Sequence, residues 1–396
     1  MQKPSKDIVV LAAGQALTST VVSLLTSVSS LSGAYLAPLP SLSTLPVTAT
    51  VLGTLLMIYP ASTLMGHLGR RSGFMLKAAV GILGGAVACV GLLASSFLLL
   101  LLGTFLLGVF SAFGQYYRFA AIDAARSPNE RTSAVSLVTG AGVAGGITGP
   151  FLGSHFTGVF SSVPYAGAFL ALSLVCVALA LSQVLLSGAL GLNTRSDAPS
   201  SQAPKFRLGR DFLGASAICA IGFAVMTLVM NAAPLSMHNC GYGMQISAKV
   251  LQTHFALMYL PSFFIPLLVN RIGLRGLIGT GIVASAAGCL LTIWPQQTAE
   301  AYMLELGLSG VGWNFIFNGG TLLLASTYPS AVKARAQGLN SLFVYTANVL
   351  ASFLAGVLVT FHGWQIVNLV CLPLLACATL LSWFDQSSTS RLVKNP

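Results

Sequence analysis

The stretch GHLGRRSG, residues 66–73, decides the fold because it joins two long apolar segments and sets arginines beside glycines. A related stretch, RIGLRG, occupies residues 271–276, again between two apolar segments. A shift of 204 positions brings three pairs into register: Gly69 with Gly273, Arg71 with Arg275, and Arg131 with Arg335. Short basic loops that recur at one fixed offset indicate an internal duplication. The sequence therefore predicts two homologous halves.

The composition defines the environment of the chain. Of its 396 residues, 55% are hydrophobic and 7% are charged, against about 25% charged in a soluble domain. The mean hydropathy is +0.84. So few charges exclude a cytosolic enzyme, a nucleic-acid-binding domain and a secreted disulfide scaffold as the main interpretation. We predict a membrane protein that contacts the lipid bilayer, with no enzymatic activity, no cofactor and no nucleic-acid partner.

Twelve segments are long and apolar enough to span a bilayer, which takes about 20 residues each. The first six lie at about Ile8–Leu31, Val47–Met65, Phe74–Leu93, Phe97–Tyr117, Ser133–Phe156 and Val163–Leu186. The other six lie at about Phe212–Ala233, Ile246–Val269, Leu274–Trp294, Tyr302–Ala325, Leu339–Phe361 and Gln365–Phe384. The sequence thus predicts an all-α membrane protein with twelve transmembrane helices in two six-helix bundles.

Basic residues sort by loop in a way that indicates orientation. If the N-terminus is cytoplasmic, 18 of the 19 Lys and Arg residues lie inside, Lys77 among them, and only Lys249 lies outside. This split obeys the positive-inside rule. The net charge of +11 therefore reflects the basic residues of the cytoplasmic loops. We expect both termini to be cytoplasmic. The expected domains are an N-terminal bundle over 1–186, a polar cytoplasmic linker over 187–210 and a C-terminal bundle over 211–396.

Over its whole length the sequence resembles the major facilitator superfamily. The loop at 66–73 is similar to that family's G-x-L-a-D-r-x-G motif, with Arg70 at the position of the acidic residue. The resemblance implies two parallel repeats, a central substrate path and alternating access, in a chain that we expect to be monomeric. Candidates for gating or coupling are the ionisable residues near the inner loops and one carboxylate in span ten: Arg70, Arg71, Arg118, Asp123 and Glu305.

Soft metal-ligating residues gather at the start of the C-terminal half. Five of the ten methionines lie between residues 226 and 258. One M-x-x-x-M, Met226 with Met230, lies on span seven, and one H-x-x-x-M, His254 with Met258, lies on span eight. Spacing of four places each pair on one helical face, and thioether sulfur selects Cu(I). We therefore predict a copper site there, with five secondary ligands: Cys219, Met237, His238, Cys240 and Met244, the last four in an external capture loop.

The same pattern resembles the CcoA-type bacterial copper importers within this superfamily. That resemblance implies a copper importer of the bacterial cytoplasmic (inner) membrane that supplies copper for cytochrome oxidase assembly. Copper would be the transported substrate, and a copper chaperone or a thiol-redox protein would be a partner. Met226, Met230, His254 and Met258 inherit the metal-binding role by this resemblance.

The alternative is a proton-coupled importer or drug-type exporter of a small organic molecule such as a vitamin. The stretch GGITGPFLG, residues 145–153, matches the G-x-x-x-G-P-x-x-G signature of drug/proton antiporters, but it also suits close helix packing. Span ten offers Trp313, Asn314 and Asn318, which can stack on a ring and hydrogen-bond to it.

Overall fold

The computed structural model describes residues 5–125, 128–188, 208–293, 298–329 and 332–384. All regular structure within these ranges is helical. The α-helices are α1 (Lys6–Leu36), α2 (Leu45–Leu68), α3 (Arg70–Leu93), α4 (Phe97–Gly114), α5 (Tyr117–Ala124), α6 (Pro128–Phe156), α7 (Ala166–Val184), α8 (Arg210–Asn239), α9 (Met244–Tyr259), α10 (Ile265–Leu291), α11 (Ala299–Ala325) and α12 (Lys333–Phe384). Two 3-10 helices, Pro40–Leu42 and Leu260–Phe264, link α1 to α2 and α9 to α10.

Polar caps fix where several of the apolar helices begin. Ser5 accepts a hydrogen bond from the backbone of Ile8 at the start of α1, and Ser96 does the same for Leu99 at α4. Thr298 caps α11 through the backbone N–H of Ala301. Such caps satisfy backbone donors that the first turn of a helix leaves unpaired, so each apolar run starts at a defined residue.

The predicted spans match the observed helices. Nine segments in the described part of the chain are long and apolar enough to cross a membrane. Two of them, 244–291 and 335–382, each contain a break, at Gly273 and Gly363, where φ is +73° and +77°. Each therefore supplies two of the predicted spans. The remaining predicted span is α11, which is less apolar than the nine, and the all-α fold is confirmed.

The duplication is visible in the backbone. Gly69, which separates α2 from α3, has φ +82°, and Gly273, 204 residues later, has φ +73°. A positive φ of this size favours glycine because it has no Cβ. The two motif glycines thus make the same chain reversal in both halves, as the sequence repeat predicts.

The chain forms two compact units. The first contains α1 to α7 together with Met237–Ala256, and the second contains the rest of α8 and the chain from Leu257 onward. The predicted domain boundaries stay predictions, since most of the linker at 187–210 lies outside the described residues. The cytoplasmic orientation of the termini also stays a prediction. Its first residue, Ser187, is described and donates two hydrogen bonds to Asp7 at the start of α1, both of 3.0 Å.

Small residues let helices pack closely inside each unit. In the first unit, Ser23 on α1 donates to the backbone carbonyl of Gly145 on α6 over 2.8 Å. A Cβ on Gly149 would overlap Ser23 Oγ. In the second unit, Gly312 on α11 lies against Ser285 on α10 in the same way. The glycines of the antiporter-like stretch at 145–153 therefore bring α6 against α1.

Candidate functional site

An aromatic cluster in the second unit brings three helices together. Phe223 comes from α8, Trp313 and Phe317 from α11, and Tyr345 from α12. The Trp313 and Phe317 rings are stacked, with centroids 5.2 Å apart and planes inclined by 8°. Phe223 meets both edge-on, at 5.4 Å and 5.3 Å, and lies 6.2 Å from Tyr345. Spacing of four on α11 puts Trp313 and Phe317 on one face.

Two asparagines share α11 with the stacked rings. Asn314, which is buried, donates from Nδ2 to the backbone carbonyl of Met258 over 2.7 Å and also to Ser262 Oγ. Asn318, half-buried, donates to the carbonyl of Asn314 over 2.8 Å. Among the described residues, Trp313 Nε1 and Asn314 Oδ1 are buried without a hydrogen-bond partner. A buried donor and a buried acceptor left unpaired are costly, so they mark a place where a ligand's hydrogen bonds would be favourable.

A polar ladder ties α8 to α12 next to the aromatic cluster. Thr227 donates to Asn348 Oδ1, and one turn further Asn231 donates to Ser352 Oγ over 3.2 Å. Both steps join residues with the same sequence separation, so the two helices keep one register along the ladder. Neither this ladder nor Phe223, Phe317 and Tyr345 was predicted from the sequence. The sequence feature that marks them is the spacing: polar or aromatic residues recur four positions apart on α8, α11 and α12.

The four primary copper ligands are mostly buried. His254 is 0% exposed, Met226 3% and Met258 6%, whereas Met230 is half-buried. The three methionines belong to the second unit and His254 to the first, so their convergence on one ion stays a prediction. No group of three or more His, Cys, Asp or Glu side chains that could hold a metal occurs in the described parts of the chain.

The external capture loop is corrected by the structure. Met237 is buried inside α8, where its sulfur accepts a hydrogen bond from Ser247 over 3.7 Å. Met244 begins α9 and packs against the core of the first unit. Apolar burial in helical structure holds both thioethers away from a loop. His238 also lies within α8, where it is exposed, and Cys240 is exposed between α8 and α9.

Cys219, the proposed inner copper ligand, is fully buried on α8. Its Sγ lies 3.9 Å from the carbonyl of Phe317 and 3.9 Å from Thr321 Oγ1, both on α11. In the described state the thiol thus packs under the aromatic cluster.

The gating and coupling candidates separate into two places. Arg70 Nε pairs with Asp123 Oδ2 at 3.0 Å and joins the start of α3 to α5. Arg71 is half-buried at the same end of α3, and Arg118 stacks over the ring of Phe119 at 5.0 Å. Glu305 lies elsewhere, buried on α11, where it accepts a hydrogen bond of 2.8 Å from Trp364 Nε1.

Lys77 is a second correction. Sorting by charge placed it with the basic residues of an inner loop, but it lies inside α3 and is 0% exposed. The long side chain allowed either position, because lysine near the end of a span often extends to the interface. Here it points into the first unit.

Comparison with known proteins gives consistent matches. The profile of the Major Facilitator Superfamily matches residues 11–260 and 218–396. The chain is 32% identical over 379 residues to a protein of Brucella anthropi named riboflavin transporter RfnT, covering 94% of this chain and 93% of that protein. It is 28% identical over 175 residues to the methylenomycin A resistance protein of Bacillus subtilis, which covers 42% of this chain and 36% of that protein.

Two solved structures share the fold. A bacterial homologue of the human lysosomal transporter Spinster, inward-facing and occupied, has a TM-score of 0.72 and 16% identity, with 99% of both chains covered. A POT family transporter in complex with 5-aminolevulinic acid has a TM-score of 0.74 and 12% identity, with 98% of this chain and 96% of that chain covered. At these identities the likeness concerns the fold alone.

Proposed function

Because the chain belongs to the major facilitator superfamily, we propose that it imports a flat, neutral heteroaromatic molecule of the flavin type. The observation that carries the proposal is the stacked pair of Trp313 and Phe317, with an unpaired indole N–H on Trp313 and an unpaired amide oxygen on the next residue, Asn314. The family and the similar proteins are membrane transporters and not enzymes.

The chemistry of the aromatic cluster suits a planar ring system. Aromatic side chains bind the faces of heteroaromatic rings, and each stacked base in other systems gains about 1–3 kcal/mol. Flavins carry both hydrogen-bond donors and acceptors on the ring edge. The Trp313 N–H and the Asn314 oxygen offer one donor and one acceptor for such an edge.

The cluster and its polar neighbours are uncharged. Aromatic rings, amides and hydroxyls of the cluster and ladder carry no formal charge near neutral pH. A charged cargo in such a place would need a counter-ion to offset its desolvation. The arrangement therefore favours a neutral cargo, and it gives a phosphorylated flavin no cationic partner among these residues.

The relative named riboflavin transporter supports an organic cargo over copper, since the likeness covers nearly all of both chains at 32% identity. Copper import, which the methionine and histidine spacing favours, has no comparable support. Import and location in the bacterial inner membrane are parts of the same proposal, and the bacterial source of these relatives supports the location.

The test is uptake by a bacterial riboflavin auxotroph that lacks its own riboflavin carrier. Cells that make the protein are expected to grow on low riboflavin and to take up radiolabelled riboflavin, with excess unlabelled riboflavin competing. Uptake of radioactive copper by the same cells is expected to equal that of cells with the empty vector. Copper uptake without riboflavin uptake would overturn the proposal.

The double variant Met226→Leu with Met258→Leu separates the two cargoes further. Leucine keeps the apolar volume and removes both sulfurs, and such swaps usually cost under about 1.5 kcal/mol of stability. Riboflavin uptake is expected to persist. If the wild type took up copper and this variant did not, the methionines would be ligands and the copper hypothesis would replace ours.

A further inference from the structure

Lys77 is a buried basic side chain that the proposed cargo site does not use. It lies about two turns into α3 and is 0% exposed. Its ammonium donates a hydrogen bond to Thr18 Oγ1 on α1. The same nitrogen lies 4.4 Å from the ring centre of Phe110 on α4 and 4.5 Å from that of Tyr117 on α5. We call Thr18, Phe110 and Tyr117 the lysine cage.

The cage is held in place by its own contacts. The Thr18 hydroxyl donates to the carbonyl of Gly14 over 2.7 Å, which leaves its lone pairs to accept from Lys77. The Tyr117 ring is stacked on Phe74, with centroids 4.1 Å apart and planes inclined by 2°. The lysine nitrogen therefore meets an acceptor and two ring faces whose positions are fixed by the fold.

No carboxylate neutralises this nitrogen within the described ranges. The ion pair found there joins Arg70 to Asp123, and no acidic oxygen comes within 4.0 Å of Lys77 Nζ. The titratable groups that face it are the Tyr117 phenol from α5 and the Cys176 thiol from α7. Neither is an anion near neutral pH under ordinary conditions, and the groups named from α1 and α4, Thr18 and Phe110, do not titrate.

Burial and the cage act in opposite directions on the charge. An ammonium carries three N–H donors, and Thr18 accepts one of them. Desolvation disfavours the charged form of a buried lysine, whereas the two ring faces favour it through cation–π attraction. Because no carboxylate of the described residues pairs with this nitrogen, we expect its charge to depend on the hydration of the cage.

We propose that Lys77 is a proton-binding site of the transport cycle. The neutral amine takes a proton from water when the cage is hydrated, and it returns that proton to water on the other side of the membrane. No other bond is made or broken. This inference rests on the proposed transport function and adds its energy source, a proton gradient coupled through a lysine in the N-terminal half.

The test reconstitutes the full chain in proteoliposomes and measures two processes with radiolabelled riboflavin. One is accumulation driven by a pH gradient, and the other is counterflow, the exchange of internal for external riboflavin without net proton movement. Lys77→Met is expected to lower accumulation about tenfold or more and to leave counterflow within about twofold, because only net transport needs the proton site. Lys249→Met, at an exposed lysine on α9, is the matched control and should preserve both.

Three outcomes would overturn the inference. Lys77→Met could accumulate riboflavin as the wild type does, or it could fold and yet lose counterflow as well, which would make Lys77 a structural or cargo residue. The third is wild-type counterflow that no pH gradient can drive into accumulation. In that third case the proposed flavin transport would be supported and the proposed proton site would be refuted.

Two further measurements apply if Lys77→Met does not fold or if riboflavin is not the cargo. Phe110→Leu keeps the lysine and removes one ring face, so the pH dependence of accumulation should differ from that of the wild type. Carbon-13 NMR of labelled lysine side chains needs no cargo: one signal, absent in Lys77→Met and shifted selectively in Phe110→Leu, should respond to pH separately from the signals of the exposed lysines. Absence of such a signal would refute the proton site independently of riboflavin.

Discussion

Replacement of Trp313 is the sharpest test of the aromatic cluster. The indole stacks on Phe317 at 5.2 Å, meets Phe223 edge-on at 5.4 Å, and keeps an unpaired N–H. Two variants separate these features. Trp313→Phe keeps an aromatic face and removes the N–H, and Trp313→Leu removes both.

The expected losses follow from the two interactions. A neutral hydrogen bond contributes about 0.5–1.5 kcal/mol, so Trp313→Phe should weaken riboflavin binding by about fivefold. A stacked aromatic contributes about 1–3 kcal/mol, so Trp313→Leu should lose both and weaken binding by about 30-fold or more. The main prediction is the order of riboflavin affinity, which should fall from the wild type to Trp313→Phe and again to Trp313→Leu.

The assay is quenching of riboflavin fluorescence by the detergent-solubilised protein, together with the KM for uptake in cells. Phe353→Leu is a suitable control, because Phe353 lies on α12 like Tyr345 but is 41% exposed. Size-exclusion profiles show whether each variant folds, since Trp313 is 8% exposed and its truncation also loosens the core. Riboflavin affinity within about twofold of wild type in both Trp313 variants would refute the role of the cluster.

Three other predictions concern stability and packing. Thr227→Val and Asn348→Leu should each lower the free energy of unfolding by about 1–3 kcal/mol, because each leaves a buried partner unpaired. The double variant should lose less than the sum of the two single losses. If the two losses simply added, the ladder would not be formed. Asp123→Asn should lower stability by about 1 kcal/mol and change the rate of uptake without changing the preferred cargo, so a switch of cargo would contradict a structural ion pair. Gly149→Ala should sharply reduce folded protein in membranes because the added Cβ meets Ser23 Oγ and backbone atoms of α1, whereas Gly214→Ala, with nothing within 4 Å, should not.

The fold was accessible from the sequence because it depends on two strong signals. Long apolar runs must be helices in a bilayer, where backbone groups have no water to bind. The repeated loop glycines then mark equivalent positions, and Gly69 and Gly273 do share a positive φ. Neither signal depends on which side chain meets which.

The site was less accessible because it depends on helix rotation. Met226 and Thr227 are neighbours in sequence, yet successive residues on a helix point about 100° apart. The sequence analysis favoured the methionine face, whereas the face of Thr227 and Asn231 is the one that meets α12. Both pairs, the two methionines and the two polar residues, have a spacing of four. The sequence alone therefore does not show which pair faces another helix.

The polar residues of α11 bear on the proposed cargo site. Polar side chains inside a bilayer are expensive and are retained for function or for helix contacts. An unpaired amide oxygen alone does not identify a cargo site, because the ladder residue Asn231 also has a buried Oδ1 without a partner among the described residues. Asn314 differs in its position on α11 between the stacked residues Trp313 and Phe317. Its Nδ2 is satisfied twice, by Met258 and Ser262, but within the described residues its Oδ1 is not, and neither is the N–H of Trp313 beside it. Helix packing accounts for the contacts of its Nδ2, and in our proposal a polar cargo pairs with its Oδ1.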